Sequence, residues 1–218
     1  MKQRNRIGPV ILLVTCLVLG GCGWSVTIDS PYRPAEHKIE KGPNTIVGIA
    51  FLKTVKELNT VVLLKDMLGS DYLRTIDDIE DLRKTVEDHE SVIKCTGEKV
   101  HLIAVTDYTR ERMKGVYGST DKGFWIRDSP QTIMGGFEFY PDPEKYYEQR
   151  RTTECGNNGE FHFKNIEDGQ YFIEASVTQF FDPHSTPPGA YLMKKVDVDD
   201  GETEFVALSE FYYLPPID

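Results

Sequence analysis

Three patterns of apolar and polar positions follow one another along the chain. Val10 to Leu19 is an apolar run broken only by Thr15, preceded by Lys2, Arg4 and Arg6 and followed by Gly20 and Gly21. At about ten residues it is too short to cross roughly 30 Å of hydrocarbon, and the charged, apolar, small order predicts a secretory signal peptide over residues 1–21. Residues 22–43 are polar and aperiodic, with Pro31, Pro34 and Pro43, and predict a tether of about twenty residues. Thr45 to Leu52 (TIVGIAFL) is short and β-branched, which predicts a strand. Between about 57 and 89 the pattern turns helical: Ile76, Ile79, Leu82 and Val86 recur with acidic and basic residues between them, and Val61 to Leu68 is a second helical stretch. A helical face packed on the domain and a partner-binding helix both fit that insertion.

From Ser91 the pattern is β. Lys99 to Val105 reads as a strand, Glu160 to Phe163 alternates with Phe161 and Phe163 on one face, and Gln170 to Thr178 sets Tyr171, Ile173, Ala175 and Val177 against Glu174, Ser176 and Thr178. Tyr191 to Val198 and Thr203 to Leu208 follow, joined by Asp199-Asp200-Gly201. Turns at Asn157-Asn158-Gly159 and Glu167-Asp168-Gly169 put Asx or Gly where positive φ is needed. Short strands separated by such turns predict a mainly β sandwich over residues 44–209, with a C-terminal tail at 210–218. Tyr108 to Arg151 reads as loops, with a strand only around Gly136 to Tyr140.

One stretch resembles a known family. Thr152 to Tyr171 (TTECGNNGEFHFKNIEDGQY) is similar to the signature of carboxypeptidase regulatory-like domains: a threonine, an Asx/Gly turn, Gly-x-Phe-x-Phe, a hydrophobic residue, then Gly-x-Tyr. The resemblance implies a transthyretin-like, seven-stranded β-sandwich, to which the helical insertion is an addition. Gly159 would close a hairpin, Phe161 and Phe163 would enter the core, and Tyr171 would start the next core strand. A bacterial subset of these domains pairs two cysteines, and the surroundings of Cys95 and Cys155 resemble it. The fold hosts many unrelated roles, so it implies architecture rather than activity.

Composition adds an address. Leu19-Gly20-Gly21-Cys22 resembles the bacterial lipobox, which implies lipidation of Cys22 as the first residue of the mature chain; a non-lipidated secretory signal is the alternative. Gly23, where an aspartate would favour inner-membrane retention, points to the outer membrane of a Gram-negative cell, on its periplasmic face. Without Lys2, Arg4 and Arg6 the 197 residues from Cys22 carry 22 basic against 35 acidic side chains, a formal −13. Such a surface repels phosphate backbones and argues against nucleic-acid binding. Cys16 leaves with the signal and Cys22 is committed to lipid, so Cys95 and Cys155 form one disulfide in an oxidising compartment. Metal binding by these cysteines is a weaker reading, because there is no CxxC and the five histidines are scattered.

No catalytic motif stands out: there is no G-x-S-x-G, H-E-x-x-H, P-loop or G-x-G-x-x-G. His101 and His162 each alternate with apolar neighbours and are expected to face solvent. Asp197, Asp199 and Asp200 fit an acidic turn better than a calcium site. The strongest candidate surface is Tyr108, Arg110, Glu111, Arg112, Trp125 and Arg127, because exposed aromatics and arginines anchor interfaces; Tyr108 and Trp125 filling the core is the competing reading. Phe180-Phe181 before Asp182-Pro183-His184 is a weaker candidate. The sequence thus predicts a non-enzymatic, lipid-anchored envelope module without cofactor or metal, presenting sandwich loops to a protein or glycan. An accessory subunit docking through the insertion is the alternative, and an enzyme using Glu111, Arg112 and Arg127 the third reading.

Overall fold

The structure is a computed structural model that describes residues 24–55, 92–126, 137–178 and 189–213. The signal peptide, Cys22, the insertion at 57–89, Arg127 and Phe180 to His184 lie outside the described residues. Within them the chain is mainly β. Two sheets face each other across an apolar core, and a third layer of short elements covers the outer face of one sheet.

The smaller sheet centres on β2 (Asn44–Val55). It pairs in parallel with β11 (Thr203–Tyr213) on one side, and antiparallel with β3 (Val92–Lys94) and β8 (Glu160–Ile166) on the other. The larger sheet has the order β5-β10-β9-β4-β7, formed by β4 (Lys99–Ala104), β5 (Lys122–Ile126), β7 (Arg151–Glu154), β9 (Gly169–Thr178) and β10 (Gly189–Val198). Strands β7 and β8 lie in different sheets, as do β8 and β9, so the chain crosses the sandwich at each of those turns.

The period-two patterns point inward as expected. Phe161, Phe163, Tyr171, Ile173, Ala175 and Val177 all join the buried core. The pairing of β2 with β8 sets Gly48 opposite Phe161, and a Cβ on Gly48 would meet the Phe161 ring at 2.2 Å. Gly159, at φ +86°, makes the turn into β8, and the Tyr171 hydroxyl donates to the Glu167 carbonyl at 3.0 Å. Cys95 and Cys155 are disulfide-bonded, both buried. Cys95 lies where the chain passes from β3 in one sheet to β4 in the other, so the bond clamps the two layers.

Three expectations change. The segment read as a tether is packed onto the domain from Trp24 onward. Strand β1 (Trp24–Thr27) pairs in parallel with β6 (Phe137–Tyr140), and a 3-10 turn follows at Pro34–His37. Ile28 and His37 are buried, and Glu111 accepts hydrogen bonds from the Asp29 and Ser30 backbone amides and from the Ser30 hydroxyl. The region 108–151 is not a set of loops. It holds α1 (Asp107–Tyr117), β5, β6 and α2 (Glu144–Glu148). Residues 210–213 continue β11 and are not tail.

Helix α1 has local causes. Thr106 caps it, with its hydroxyl accepting from the Thr109 amide while the Thr109 hydroxyl accepts from the Thr106 amide. Gly118 at φ +70° ends it, with its amide donating to the Lys114 carbonyl. The helix lies on the outer face of the larger sheet. There Tyr108 and Met113 bury against Ile103, Phe172 and Met193, with Ile28 and Tyr146 from the flanking segments.

Candidate functional site

A cavity of about 660 Å³ opens in this third layer, between the outer face of the larger sheet and the elements that cover it. That volume is in the range of small-ligand sites, roughly 300–1,000 Å³. Its floor is set by strand register. Trp125 pairs with Tyr191, and Tyr191 with Ser176, across β5, β10 and β9. One rank further, Met193, Glu174, His101 and Thr152 line up across β10, β9, β4 and β7. Alternation along a strand sends these side chains outward, since their neighbours Leu192, Ala175 and Val100 belong to the inner core.

One wall is aromatic. Trp125 stacks on Tyr191 with ring centroids 5.2 Å apart and 28° between planes, and Phe137 meets Trp125 edge-on at 5.3 Å. A second part of the lining is cationic. The Arg112 guanidinium lies 3.5 Å from the Phe139 ring centroid and 4.2 Å from that of Tyr146. It donates to Asp142 at 2.8 Å, to the Tyr147 hydroxyl at 2.6 Å and to the Tyr108 hydroxyl at 3.3 Å. Arg150 lies over the neighbouring rings, 4.8 Å from the Tyr147 centroid and 5.5 Å from that of Tyr146.

The titratable groups on the floor are tuned by this enclosure. Burial pushes the Glu174 carboxyl up, while the Tyr117 hydroxyl, donating to it at 3.0 Å, and the guanidinium groups of Arg150 and Arg112 pull it down; burial prevails. Burial, then Arg150 and Lys99, lower His101 to about 4, so its ring is neutral near pH 7. Its Nδ1 is 2.9 Å from the Thr152 hydroxyl. Two donors in the lining, Trp125 Nε1 and Arg150 Nε, are buried and have no acceptor. The walls therefore offer aromatic surface, spare N–H groups and one buried carboxylate.

The expected surface residues divide. Tyr108 is 1% exposed and part of the core beneath α1, so its core reading holds over the interface one. Arg112, also buried, forms the cavity wall, and Trp125 joins it there. Arg110 is exposed and pairs with Asp107. Glu111 is spent on the N-terminal segment, away from the Arg112–Asp142 pair, so the two do not form a joint acid-base set. His162 is exposed, as expected, but His101 is half-buried in the cavity. Its face of the sheet is covered by α1 and α2, which the alternation of β4 alone does not reveal. Among the described residues no group of three His, Cys, Asp or Glu side chains is placed to hold a metal ion.

Comparison with protein-family models and with curated proteins gives no match. Among solved structures, the chain is similar to the crystal structure of a Pseudomonas aeruginosa protein proposed to bind carbohydrate. The likeness has a TM-score of 0.50 at 16% identity and covers 83% of this chain and 99% of the other. At that identity it shows a shared fold.

Sequence reasoning missed Tyr117, Glu174, Tyr146, Arg150 and Tyr191. A signal existed for Glu174: a carboxylate between Ile173 and Ala175, on a strand where Phe172, of its own parity, is also large and apolar, marks a face that is covered rather than solvated.

Proposed function

We propose that this chain is a lipid-anchored, non-enzymatic module of the cell envelope that binds a glycan in the cavity above the larger sheet. The observation that carries it is the Trp125–Tyr191–Phe137 cluster lining one cavity with Glu174 and Arg150. A pyranose presents C–H groups on one face and hydroxyls around its rim. Aromatic side chains take the first, and fixed donors and acceptors such as Glu174 and Arg150 take the second. The carbohydrate-binding role proposed for the Pseudomonas aeruginosa neighbour agrees with this reading. The sandwich is assigned to the transthyretin-like, carboxypeptidase regulatory-like type, supported by the Gly159 turn, the inward Phe161 and Phe163 and the tyrosine opening of β9.

The anchor is Cys22, and Gly23 favours the periplasmic face of an outer membrane. Since β1 begins at Trp24, the lipid would hold the domain against the bilayer surface rather than at the end of a long tether.

The deciding experiment is a glycan array probed with the full chain, processed by its host and kept in detergent. We expect binding to a defined set of saccharides, weakened at least about tenfold by Trp125→Ala. A protein that binds no saccharide, or whose binding ignores Trp125, would overturn the reading. For the anchor, Cys22→Ala should abolish palmitate labelling and release the protein from membranes; labelling that persists would refute it.

A further inference from the structure

The described arginines are satisfied, with one exception. Arg33 pairs with Glu36, Arg110 with Asp107, and Arg112 with Asp142, while Arg151 donates to the carbonyls of Lys164 and Asn165. Among the described residues, Arg150 meets no carboxylate and no carbonyl. Its guanidinium is held over Tyr147 and Tyr146, and its buried Nε has no acceptor. A guanidinium held against aromatic faces keeps its planar fork of donors oriented for a carboxylate or phosphate. Arg150 lines the cavity together with His101 and Glu174.

The other charges around the cavity leave this cation uncompensated. Asp142 neutralises Arg112, and Lys99 and Glu98 are adjacent and of opposite sign. Glu174 accepts from the Tyr117 hydroxyl at 3.0 Å, and among the described residues it forms no ion pair with Arg150. The cavity thus has two poles, an acceptor at Glu174 and an unanswered donor fork at Arg150. A neutral sugar supplies hydroxyls for the first but nothing of matching charge for the second.

Resting on the glycan reading above, we propose that the ligand is an acidic saccharide, with its carboxylate on the Arg150 guanidinium and its hydroxyls reaching the Glu174 end. Arg150 is then the residue that selects acidic over neutral sugars, and the aromatic wall is indifferent to that choice.

The test is calorimetric titration of the full chain with oligosaccharides of glucuronic, galacturonic and mannuronic acid, each beside its carboxyl-reduced neutral counterpart. At least one acidic oligomer should bind about tenfold or more tighter than its reduced form, with the preference fading as salt is raised. Arg150→Gln should abolish the preference, weakening the acidic oligomer about tenfold more than its reduced form, with the near-ultraviolet circular dichroism unchanged. Acidic and reduced oligomers that bind equally, with Arg150→Gln affecting neither, would overturn the acidic assignment and leave the glycan reading standing. If no oligomer of either kind binds while the array is also blank, both fall. Binding of neutral saccharides alone on the array would overturn only the acidic one.

Discussion

Arg112 has a side chain only 7% exposed yet carries full charge, because every direction its guanidinium points is occupied. Asp142 and two tyrosine hydroxyls accept from it, and two rings lie against its faces. Arg112→Met keeps the apolar stem but strands Asp142, whose side chain is itself 36% exposed. The loss should be about 2–3 kcal/mol, below the roughly 3–5 kcal/mol of a fully buried pair because Asp142 keeps contact with water, read from the urea midpoint. Gly48 makes an opposite case to the usual rule. Alanine in a strand interior is normally the better residue, but here its methyl would press on the Phe161 ring. Gly48→Ala should destabilise by about 1–3 kcal/mol, and a stabilised variant would mean the Phe161 ring can move aside at no cost. His101 yields a pH signature. Its folded value of about 4 lies below the ordinary histidine value of 6.5, so its contribution is complete above pH 6.5 and lost as pH falls towards 4. Glu174 and Glu204 are raised by burial and act with the opposite sign, gaining stability for the fold as they protonate. The His101 share is therefore read as the difference in melting temperature between wild type and His101→Gln, which should change between pH 6.5 and 4 and be constant above it.

At the scale of elements, the strands were legible and α1 was not. Strands β8 and β9 set alternate apolar side chains into the core and are entered through turns at Gly159 and Gly169, so their period of two shows in the sequence. In α1 the buried positions include Tyr108, Thr109, Arg112 and Met113. A buried arginine and a buried threonine break the apolar stripe that periodicity looks for, and the charges between them read as a loop. The caps were the better signal: Thr106 before the helix and Gly118 after it bound the segment by backbone chemistry alone. Thr106→Ala should cost about 1 kcal/mol of stability, since the Thr109 amide loses its acceptor and the cap is where the sheet hands the chain to the covering layer. A loss well under that, by urea denaturation, would show that tertiary packing alone holds α1.

For the whole molecule, the Cys95–Cys155 bond spans 60 residues and joins the two sheets at one end of the sandwich. The double variant Cys95→Ala/Cys155→Ala should lose about 4 kcal/mol, most of it through a freer unfolded chain, and a reductant should lower the midpoint of the wild type alone. The cysteines, strands, turns and inward faces could be read from the chain because each depends on neighbours within a few residues or on the oxidising compartment. The cavity could not. His101, Trp125, Glu174 and Tyr191 come from four strands and Arg150 from the turn before β7, and they meet only because strand register ranks the four on one face and α1, α2 and β6 cover that face. Alternation says that a strand has two sides. Which of them faces water is settled only when the rest of the chain folds over it, and here that covering turns an expected solvent face into the candidate site.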